Sequence, residues 1–273
     1  MAGADAAVAA LAAALARGPA VLVRVARTEG SAPREPGAWL AVTHDGLFGS
    51  IGGGRLEFEA IAAARAELDA GRCDDALRRH ALGPSLGQCC GGVVHLRHER
   101  LSAADAPGLA ARLAQPPLFE LALFGGGHVG RAIAELLLRL PVGLHWIDSR
   151  EEVFPPDLPP RVQAEHSEPV QAAVPLIAAG SCVLIMSFSH AEDLDIVAAC
   201  LHRQRRARDL RFIGLIGSAS KWARFSHRLE ARGFSVDEIA RVTCPIGLPG
   251  IRGKQPEVIA LSAVAQLLTI CCV

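Results

Sequence analysis

The sequence predicts an α/β protein in which an N-terminal α+β module precedes a domain built on a doubly wound parallel sheet. Three observations lead to this prediction. Hairpin signals dominate before residue 101, strand and helix patterns alternate from residue 118 onward, and a proline-containing segment separates the two parts. Apolar strands that alternate with helices are typical of a parallel sheet covered on both faces. We therefore expect a module at 1–101, a linker at 102–117 and a second domain at 118–273.

Composition narrows the class of protein. The chain has 273 residues, of which 51% are apolar, so it can bury a substantial core. Its 28 basic and 28 acidic side chains balance, which argues against a nucleic-acid partner. The most apolar stretch, 258–273, is too short for a membrane span and contains polar residues, so we expect no membrane partner. Without a secretory signal, we expect a cytoplasmic protein whose eight cysteines form no disulfide framework.

The first module begins with a helix and continues with short strands. Val8, Leu11 and Leu15 recur at helical spacing, and Gly18-Pro19 ends this helix. The patterns that follow predict strands at 20–26, 38–43, 47–51, 75–82 and 93–98 and a helix at 56–68.

The second domain begins after the turn residues Gln115, Pro116 and Pro117, which close the predicted linker. From there, apolar strands and amphipathic helices alternate along the chain. The predicted strands are 118–124, 144–147, a short one near 162, 182–188 and 211–216, and the helices are 128–139, 194–204, 221–232 and 257–268.

A glycine-rich loop at 124–130 follows a strand and precedes a helix. Gly125 would make the tight turn, Gly127 would let the backbone approach a phosphate, and Gly130 would let the helix pack on the strand. The helix N-terminus offers free N–H groups to an anion. Asp148 ends the next strand, where an acidic group would meet a ribose hydroxyl. The loop thus predicts a Rossmann-like domain that holds a phosphate-bearing ligand; a turn kept only for packing is the alternative.

A second strand–glycine–helix junction lies in the first module. Gly52, Gly53 and Gly54 could hold another anionic group at the start of the following helix. Glu57 falls in the first turn, where a carboxylate interacts favourably with the helix dipole, and it could also touch a ligand. The alternative is a hairpin exit that needs positive φ angles.

Two pairs of adjacent cysteines stand out. Gln88, Cys89 and Cys90 are flanked by glycines, which suits a loop that a ligand approaches closely. Neighbouring side chains on a strand face opposite sides, so both thiols of this pair cannot enter one core. A thiolate here could bind a soft metal or carry a persulfide sulfur, and two inert thiols are the alternative. For the other pair, Cys271 and Cys272, we predict a frayed end.

Several of these segments form a set with three others. They are 28–34, 49–57, 88–92, 125–130, 213–218 and 244–248. In this order they resemble the XdhC/CoxI family of xanthine dehydrogenase accessory proteins, the first three its N-terminal module and the last three its C-terminal Rossmann domain. The basic segment 249–254 departs from the acidic or glycine-rich run that members often show.

The resemblance implies an accessory protein and not an enzyme. Such a protein binds molybdenum cofactor (molybdopterin) and shields it while a cysteine desulfurase replaces an oxo ligand with sulfur. It then delivers the cofactor to the molybdenum subunit of xanthine dehydrogenase. Carried over, Cys89 and Cys90 are the implied contacts to metal or sulfur, and the two glycine loops are implied contacts of the pterin phosphate or a nucleotide such as NAD(P). We also expect a homodimer.

Two other functions stay open. An NAD(P)-dependent oxidoreductase explains the 125–130 loop and Asp148 but not the cysteine segment. Its candidate acids and bases at 190–195 are also typical of a helix cap at Ser189 with an acidic first turn. A nucleotide-sensing regulatory protein is the second alternative, with the ligand in the Rossmann half and a partner on the first module.

Overall fold

The computed structural model describes residues 4–82 and 91–272. The chain forms two compact units, Met1–Gln115 and Pro116–Val273. The first contains an antiparallel sheet with helices and the second a parallel sheet with helices. The predicted fold class, an α+β module followed by a Rossmann-like domain, is confirmed.

The sheet of the first unit has five antiparallel strands. They are β1 (Ala20–Glu29), β2 (Trp39–Val42), β3 (Leu47–Gly49), β4 (Leu77–Ala81) and β5 (Val93–Leu101), in the spatial order β3-β2-β1-β5-β4. The long central strand β1 pairs with β5 from Ala20 opposite Leu101 to Glu29 opposite Val93. A shift in register between Val25 and Arg27 bends this pair.

Helices cover both faces of this sheet. They are α1 (Ala4–Leu15), α2 (Gly54–Asp69) and α3 (Leu109–Leu113). On one face, α2 buries a row of apolar residues at helical spacing, Leu56, Ala60, Ala64 and Leu68. On the other face, Leu11 and Leu15 of α1 form a separate core with α3. Each core excludes water from one side of the sheet.

The segment predicted as a linker, 102–117, is largely folded. A capping box between Ser102 and Asp105 begins the 3₁₀ helix Ala103–Gly108, and α3 follows at once. Leu109 and Leu113 are buried in the first unit, so this part of the segment packs within that unit.

The second unit holds a six-stranded parallel sheet. Its strands are β6 (Glu120–Phe124), β7 (Gly143–Asp148), β8 (Val162–His166), β9 (Cys182–Ile185), β10 (Phe212–Leu215) and β11 (Val242–Thr243). The spatial order is β11-β10-β9-β6-β7-β8. This is the doubly wound order, whose direction reverses between β6 and β9, and ligands of such sheets bind at the carboxyl edge beside that reversal.

Helices again lie on both faces. They are α4 (His128–Leu137), α5 (His190–Arg206), α6 (Ala219–Ala231), the short α7 (Val236–Ile239) and α8 (Pro256–Cys271), together with the 3₁₀ helices Glu151–Val153 and Val170–Leu176. One core contains the sheet with α4 and α8, and the other contains the opposite sheet face with α5 and α6.

Two predictions about this unit were wrong, and two short elements were missed. The strand expected at 182–188 stops at Ile185, because the residues after it turn into α5, which begins at His190. The short α7 and β11 were not foreseen. The frayed end expected at Cys271 is instead the last turn of α8, where Cys271 is 7% exposed and packs in the core. The apolar row of α8 continues through this residue, which explains the burial.

Within the described ranges, no helix is both long and apolar enough to span a membrane.

Candidate functional site

The carboxyl edge of the parallel sheet brings together segments that are far apart in sequence. The turns that follow β6, β9, β10 and β11 all begin at this edge, because these strands are parallel. A Cβ placed on Gly125 would lie 2.0 Å from the Met186 carbonyl oxygen, so the first two turns touch. A Cβ on Gly217 would lie 2.8 Å from Lys221 and 3.2 Å from the Cys244 sulfur. The six segments that carry the family resemblance are called the signature segments below. Three of them, 125–130, 213–218 and 244–248, therefore lie at the edge where doubly wound sheets bind ligands.

The glycines of the 125–130 loop differ in what surrounds them. Gly125 has a φ of 122°, which favours glycine, and it leaves no room for a side chain. A Cβ on Gly130 would lie 2.0 Å from the Gly125 carbonyl oxygen, so this glycine permits the close packing of α4 on β6. Gly127 has no atom within 4 Å of a Cβ position. The space beside Gly127 is thus open, as the approach of a phosphate to the backbone requires.

The N-terminus of α4 suits an anion. Gly127 is its N-cap, so no side chain accepts a hydrogen bond from the N–H groups of the first turn. No acidic residue lies in that turn. Gly127 and His128 are exposed. The partial positive charge of the helix end is therefore not compensated by a carboxylate of the first turn.

Asp148 is the last residue of β7, as the sequence predicts, but its side chain is already engaged. The carboxylate accepts hydrogen bonds from the Gly126 N–H at 2.6 Å and from the Arg150 N–H at 2.9 Å. The Arg150 guanidinium adds two more, at 2.9 and 3.0 Å. Burial would raise the pKa of Asp148, yet these bonds hold that pKa below its ordinary value. Asp148 therefore anchors the glycine loop, and its contact with a ribose stays a prediction.

Arg150 also covers an aromatic ring beside the loop. Its guanidinium carbon lies 4.6 Å from the ring centroid of Phe188, which follows β9 and is 66% exposed. Glu192 accepts a hydrogen bond from the Phe188 N–H at 3.1 Å and thereby fixes this turn.

The candidate acids and bases at 190–195 lie in the first turns of α5, and Ser189 caps this helix. The Ser189 hydroxyl accepts a hydrogen bond from the Glu192 N–H at 3.2 Å, which confirms the cap. His190 is exposed and Asp195 is paired with Arg232 on the surface.

Sequence reasoning missed a buried ion pair at the same edge. Lys221 Nζ of α6 lies 2.7 Å from Asp193 Oδ2 of α5, and the two residues are 8% and 2% exposed. Asp193 also accepts from the N–H and hydroxyl of Ser187, at 2.9 and 2.8 Å. Lys221 donates further to the Ile216 carbonyl oxygen at 2.9 Å. One signal was available: Lys221 is one of two lysines in a chain that otherwise uses arginine.

The 244–248 segment is fixed to α8. Gly247 N–H donates to Gln266 at 2.8 Å, and Leu248 N–H donates to the Ser262 hydroxyl at 2.8 Å. Burial raises the pKa of the Cys244 thiol to about 11, although Lys221 acts in the opposite direction. Cys244 is therefore a neutral thiol near pH 7.

In the first unit, the N-terminal signature segments also converge. A Cβ on Gly52 would lie 2.5 Å from the Pro33 Cβ, so the 49–54 turn packs against the 28–34 segment. A Cβ on Gly92 would lie 2.3 Å from the Ser31 carbonyl oxygen. Both glycines thus allow close packing against the 28–34 segment, Gly52 against the Pro33 ring and Gly92 against backbone.

The 49–57 junction is closed by its own carboxylate. Glu57 accepts hydrogen bonds from the Ser50 hydroxyl at 2.7 Å, the Ile51 N–H at 2.9 Å and the Gly53 N–H at 3.2 Å. Burial would raise the pKa of Glu57, but these donors hold that pKa below its ordinary value. Gly52, Gly53 and Gly54 all have positive φ angles. These positive φ angles support the interpretation of the turn as a hairpin exit. Ligand contact by these residues stays a prediction.

The predicted cysteine site lies outside the described residues. Gln88, Cys89 and Cys90 belong to 83–90, which the structure does not describe. Among the residues that are described, no group of three or more His, Cys, Asp or Glu side chains is placed to hold a metal ion.

A cavity of about 350 Å³ lies elsewhere on the second unit. Its lining comes from the end of α5 and from the region of α7, and includes Arg205, Arg208 and Arg241. None of the signature segments contributes to it, so we do not assign the candidate site to this cavity.

The strand order and the glycine loop define the second unit as a Rossmann-type domain joined to an α+β module. The chain belongs to the XdhC and CoxI family. The model of the XdhC Rossmann domain matches residues 121–267, and the model described as the XdhC and CoxI family matches residues 4–80. The first match lies within the second unit and the other within the first unit.

Two other proteins are similar to this chain over most of its length. The uncharacterized protein YqeB of Escherichia coli (strain K12) is 25% identical over 260 residues, which cover 92% of this chain and 43% of YqeB. The chain thus spans less than half of that relative. A crystal structure of a xanthine dehydrogenase from Bacillus halodurans is similar with a TM-score of 0.69 and 18% identity, over 96% of this chain and 95% of that one. At this identity, the similarity shows a shared fold alone.

Proposed function

We propose that this protein is an accessory protein for a xanthine dehydrogenase. In this proposal it binds molybdenum cofactor as cargo, supports sulfuration of that cofactor by a cysteine desulfurase, and delivers it to the molybdenum subunit. Membership in the XdhC and CoxI family supports the accessory role. The observation that carries the proposal is the convergence of the 28–34 and 49–54 segments with Gly92 in the first unit.

Cys89 and Cys90 supply the chemistry of the proposed site. They precede Gly91-Gly92 directly in the sequence. Thiolates are soft ligands and good acceptors of sulfur, whereas the described residues offer carboxylates and imidazoles in pairs and no larger group. We therefore assign contact with molybdenum or its sulfur ligand to the cysteine pair.

The phosphate of the cargo, or of a nucleotide, fits the second unit. The open space beside Gly127 is a position that a Cβ would fill, and the first turn of α4 carries no carboxylate to repel an anion. Gly126, by contrast, already donates its N–H to Asp148. We propose that Gly127 and the start of α4 bind the phosphate and that Asp148 keeps the loop in shape.

Hydride transfer is the weaker candidate. The Asp148 carboxylate accepts four hydrogen bonds from the protein, so a ribose diol would have to displace some of them. The acidic residues after Ser189 serve the helix cap and the Lys221 ion pair. Titration with NADH, followed by absorbance at the nicotinamide band, tests this rival: oxidation of NADH by the protein would favour it.

An activation assay tests the proposed function. Xanthine dehydrogenase produced without its accessory protein is mixed with parent protein or with the Cys89→Ala/Cys90→Ala variant. We expect activation by the parent and loss of activation to background in the variant. Cys73→Ser is the matched control, because Cys73 belongs to the same unit and donates to Glu67 at 3.4 Å, a bond that serine can keep. Equal activation by all three proteins would contradict the proposal.

A further inference from the structure

Two buried thiols of the second unit lie in contact although they are 89 residues apart in sequence. Cys182 is the first residue of β9 and Cys271 the last residue of α8. Their sulfur atoms are 3.0 Å apart, and the residues are 0% and 7% exposed. Both thiols are free. They pack in the core that α4 and α8 form on one face of the sheet.

We propose that Cys182 and Cys271 are a modification site, at which a hydroperoxide converts the two thiols into an intramolecular disulfide. A disulfide bond is about 2.05 Å long, so the sulfur atoms need to approach by only about 1 Å. Cys200 cannot compete for this bond, because it is buried in the core on the opposite face of the sheet. Cys272 is exposed and follows Cys271, so it is the nearest alternative in sequence.

The position of the two thiols sets the order of the steps. Cys271 ends a helix, where the last turn opens most readily, whereas Cys182 lies in the middle of a sheet. Burial also raises the pKa of the Cys182 thiol well above its ordinary value. We therefore assign the first oxidation to Cys271 and the second attack to Cys182.

The chemistry balances with one hydroperoxide. The Cys271 thiol loses its proton and its sulfur attacks one oxygen of hydrogen peroxide. The O–O bond breaks, the leaving hydroxide takes up that proton, and a sulfenic acid and water form. The Cys182 sulfur then attacks the sulfenic sulfur. The S–S bond forms, the S–O bond breaks, and the second water leaves with the proton of Cys182. Two electrons pass from the sulfur atoms to the peroxide.

The disulfide would act on a helix that reaches the candidate site. The side chains of Ser262 and Gln266 on α8 accept hydrogen bonds from the N–H groups of Leu248 and Gly247, respectively, in the 244–248 signature segment. A bond between α8 and β9 would restrict opening of this helix. Amide hydrogen exchange at 247, 248 and the end of α8 should slow at least several-fold in the oxidised protein.

Mass spectrometry of the full chain tests the proposal. A Cys272→Ser protein is treated with hydrogen peroxide, blocked with iodoacetamide and digested without reductant. We expect a linked peptide pair that contains Cys182 and Cys271 and that dithiothreitol separates. The unfolding midpoint of the oxidised second unit should rise by roughly 5–10 °C, because the bond closes a long loop.

Two variants complete the test. Cys182→Ala in the same background should give no linked peptide and no rise in midpoint, whereas Cys200→Ala should keep both. Recovery of both thiols unlinked from the treated Cys272→Ser protein would overturn the proposal. Linkage of Cys271 to any cysteine other than Cys182 would overturn it equally. The linked peptide is sought in a protein that keeps both thiols, so the conclusion does not depend on the folding of Cys182→Ala.

Discussion

At the scale of single residues, three glycines of the 125–130 loop have different surroundings and different backbone angles. Gly125 needs its positive φ and has the Met186 carbonyl oxygen against it, while Gly130 has the Gly125 carbonyl oxygen in the place of a Cβ. Gly127 has ordinary extended angles, φ −72° and ψ −173°, and open space. Gly127 is thus the loop glycine that the fold itself does not require.

A substitution at Gly127 should therefore separate binding from folding. We expect Gly127→Val to fold with a loss of only about 1 kcal/mol, because valine is a poorer N-cap than glycine. We expect it to bind a phosphate-bearing probe at least about tenfold more weakly, because its branched side chain occupies the space beside the backbone. Calorimetric titration with ADP and with NADP⁺ measures the effect. Gly130→Ala is the comparison variant, and overpacking should destabilise it by about 1–3 kcal/mol. Unchanged affinity in Gly127→Val would mean that the loop serves packing alone.

The buried pair of Asp193 and Lys221 is the other residue-scale feature. Through Ser187 and the Ile216 carbonyl oxygen it joins the turns after β9 and β10. A buried charge without its partner is costly, whereas an intact pair is close to neutral in stability.

Removal of Lys221 alone should cost more stability than removal of both Lys221 and Asp193. Lys221→Met keeps the length of the side chain but leaves Asp193 without its counter-ion, and we expect a loss of about 3–5 kcal/mol in the free energy of unfolding. The double variant Asp193→Leu/Lys221→Met should recover much of that loss. Urea unfolding followed by circular dichroism measures both. A Lys221→Met protein as stable as the parent would show that the pair does not hold the two turns.

At the scale of elements, alternation of strand and helix was enough to predict most of the second unit, although not α7 and β11. The runs at 118–124 and 144–147 are apolar and bounded by turn residues, and they became β6 and β7 with small differences at their ends. The strand at 182–188 was predicted too long, because Phe188 is as apolar as a strand residue and only the cap at Ser189 ends the pattern.

The sequence did not predict which residues of different elements contact each other. The glycine spacing predicted Gly125, Gly127 and Gly130, and a strand end predicted Asp148, but nothing local shows that the Gly126 N–H donates to this carboxylate from 22 residues away. Asp193 and Lys221 lie 28 residues apart on two different helices, and no periodic pattern encodes such a pair. The cysteine segment at 88–90 lies outside the described residues, so its role stays a prediction.

Contact between α2 and β5 in the first unit carries a pH dependence. His98 of β5 is 1% exposed, and its Nδ1 lies 2.9 Å from Glu67 Oε2 of α2. Burial lowers the pKa of His98 below its ordinary 6.5, although Glu67 acts in the opposite direction. The unfolded chain therefore takes up this proton more readily than the folded one, and stability falls as the pH drops below about 6.5.

The matching variant is His98→Gln, whose amide can still donate to Glu67 but does not titrate. We expect the parent to lose up to about 1.4 kcal/mol of stability per pH unit from this group between pH 6.5 and 5, and the variant to show a shallower slope. Some slope should persist, because burial also lowers the pKa of His80. Urea unfolding at several pH values gives the comparison, and parallel slopes would refute the assignment to His98.

At the scale of the whole molecule, two units with different sheets each carry part of the family's signature. The first unit gathers the 28–34 and 49–54 segments around Gly92, and the second gathers the turns that end β6, β9, β10 and β11. A Rossmann-type unit alone is compatible with many functions. In the proposed function, the cysteine segment at 88–90 is the feature that distinguishes a cofactor accessory protein from a nucleotide enzyme.

The most direct measurement is the molybdenum and pterin content of protein purified without oxygen from a host that makes the cofactor. Metal analysis and pterin fluorescence are compared for the parent, Cys89→Ala/Cys90→Ala and Cys73→Ser. The account predicts that molybdenum and pterin copurify in equal amounts with the parent and with Cys73→Ser, and fall to background in the double variant. A parent protein that carries neither molybdenum nor pterin would contradict the account.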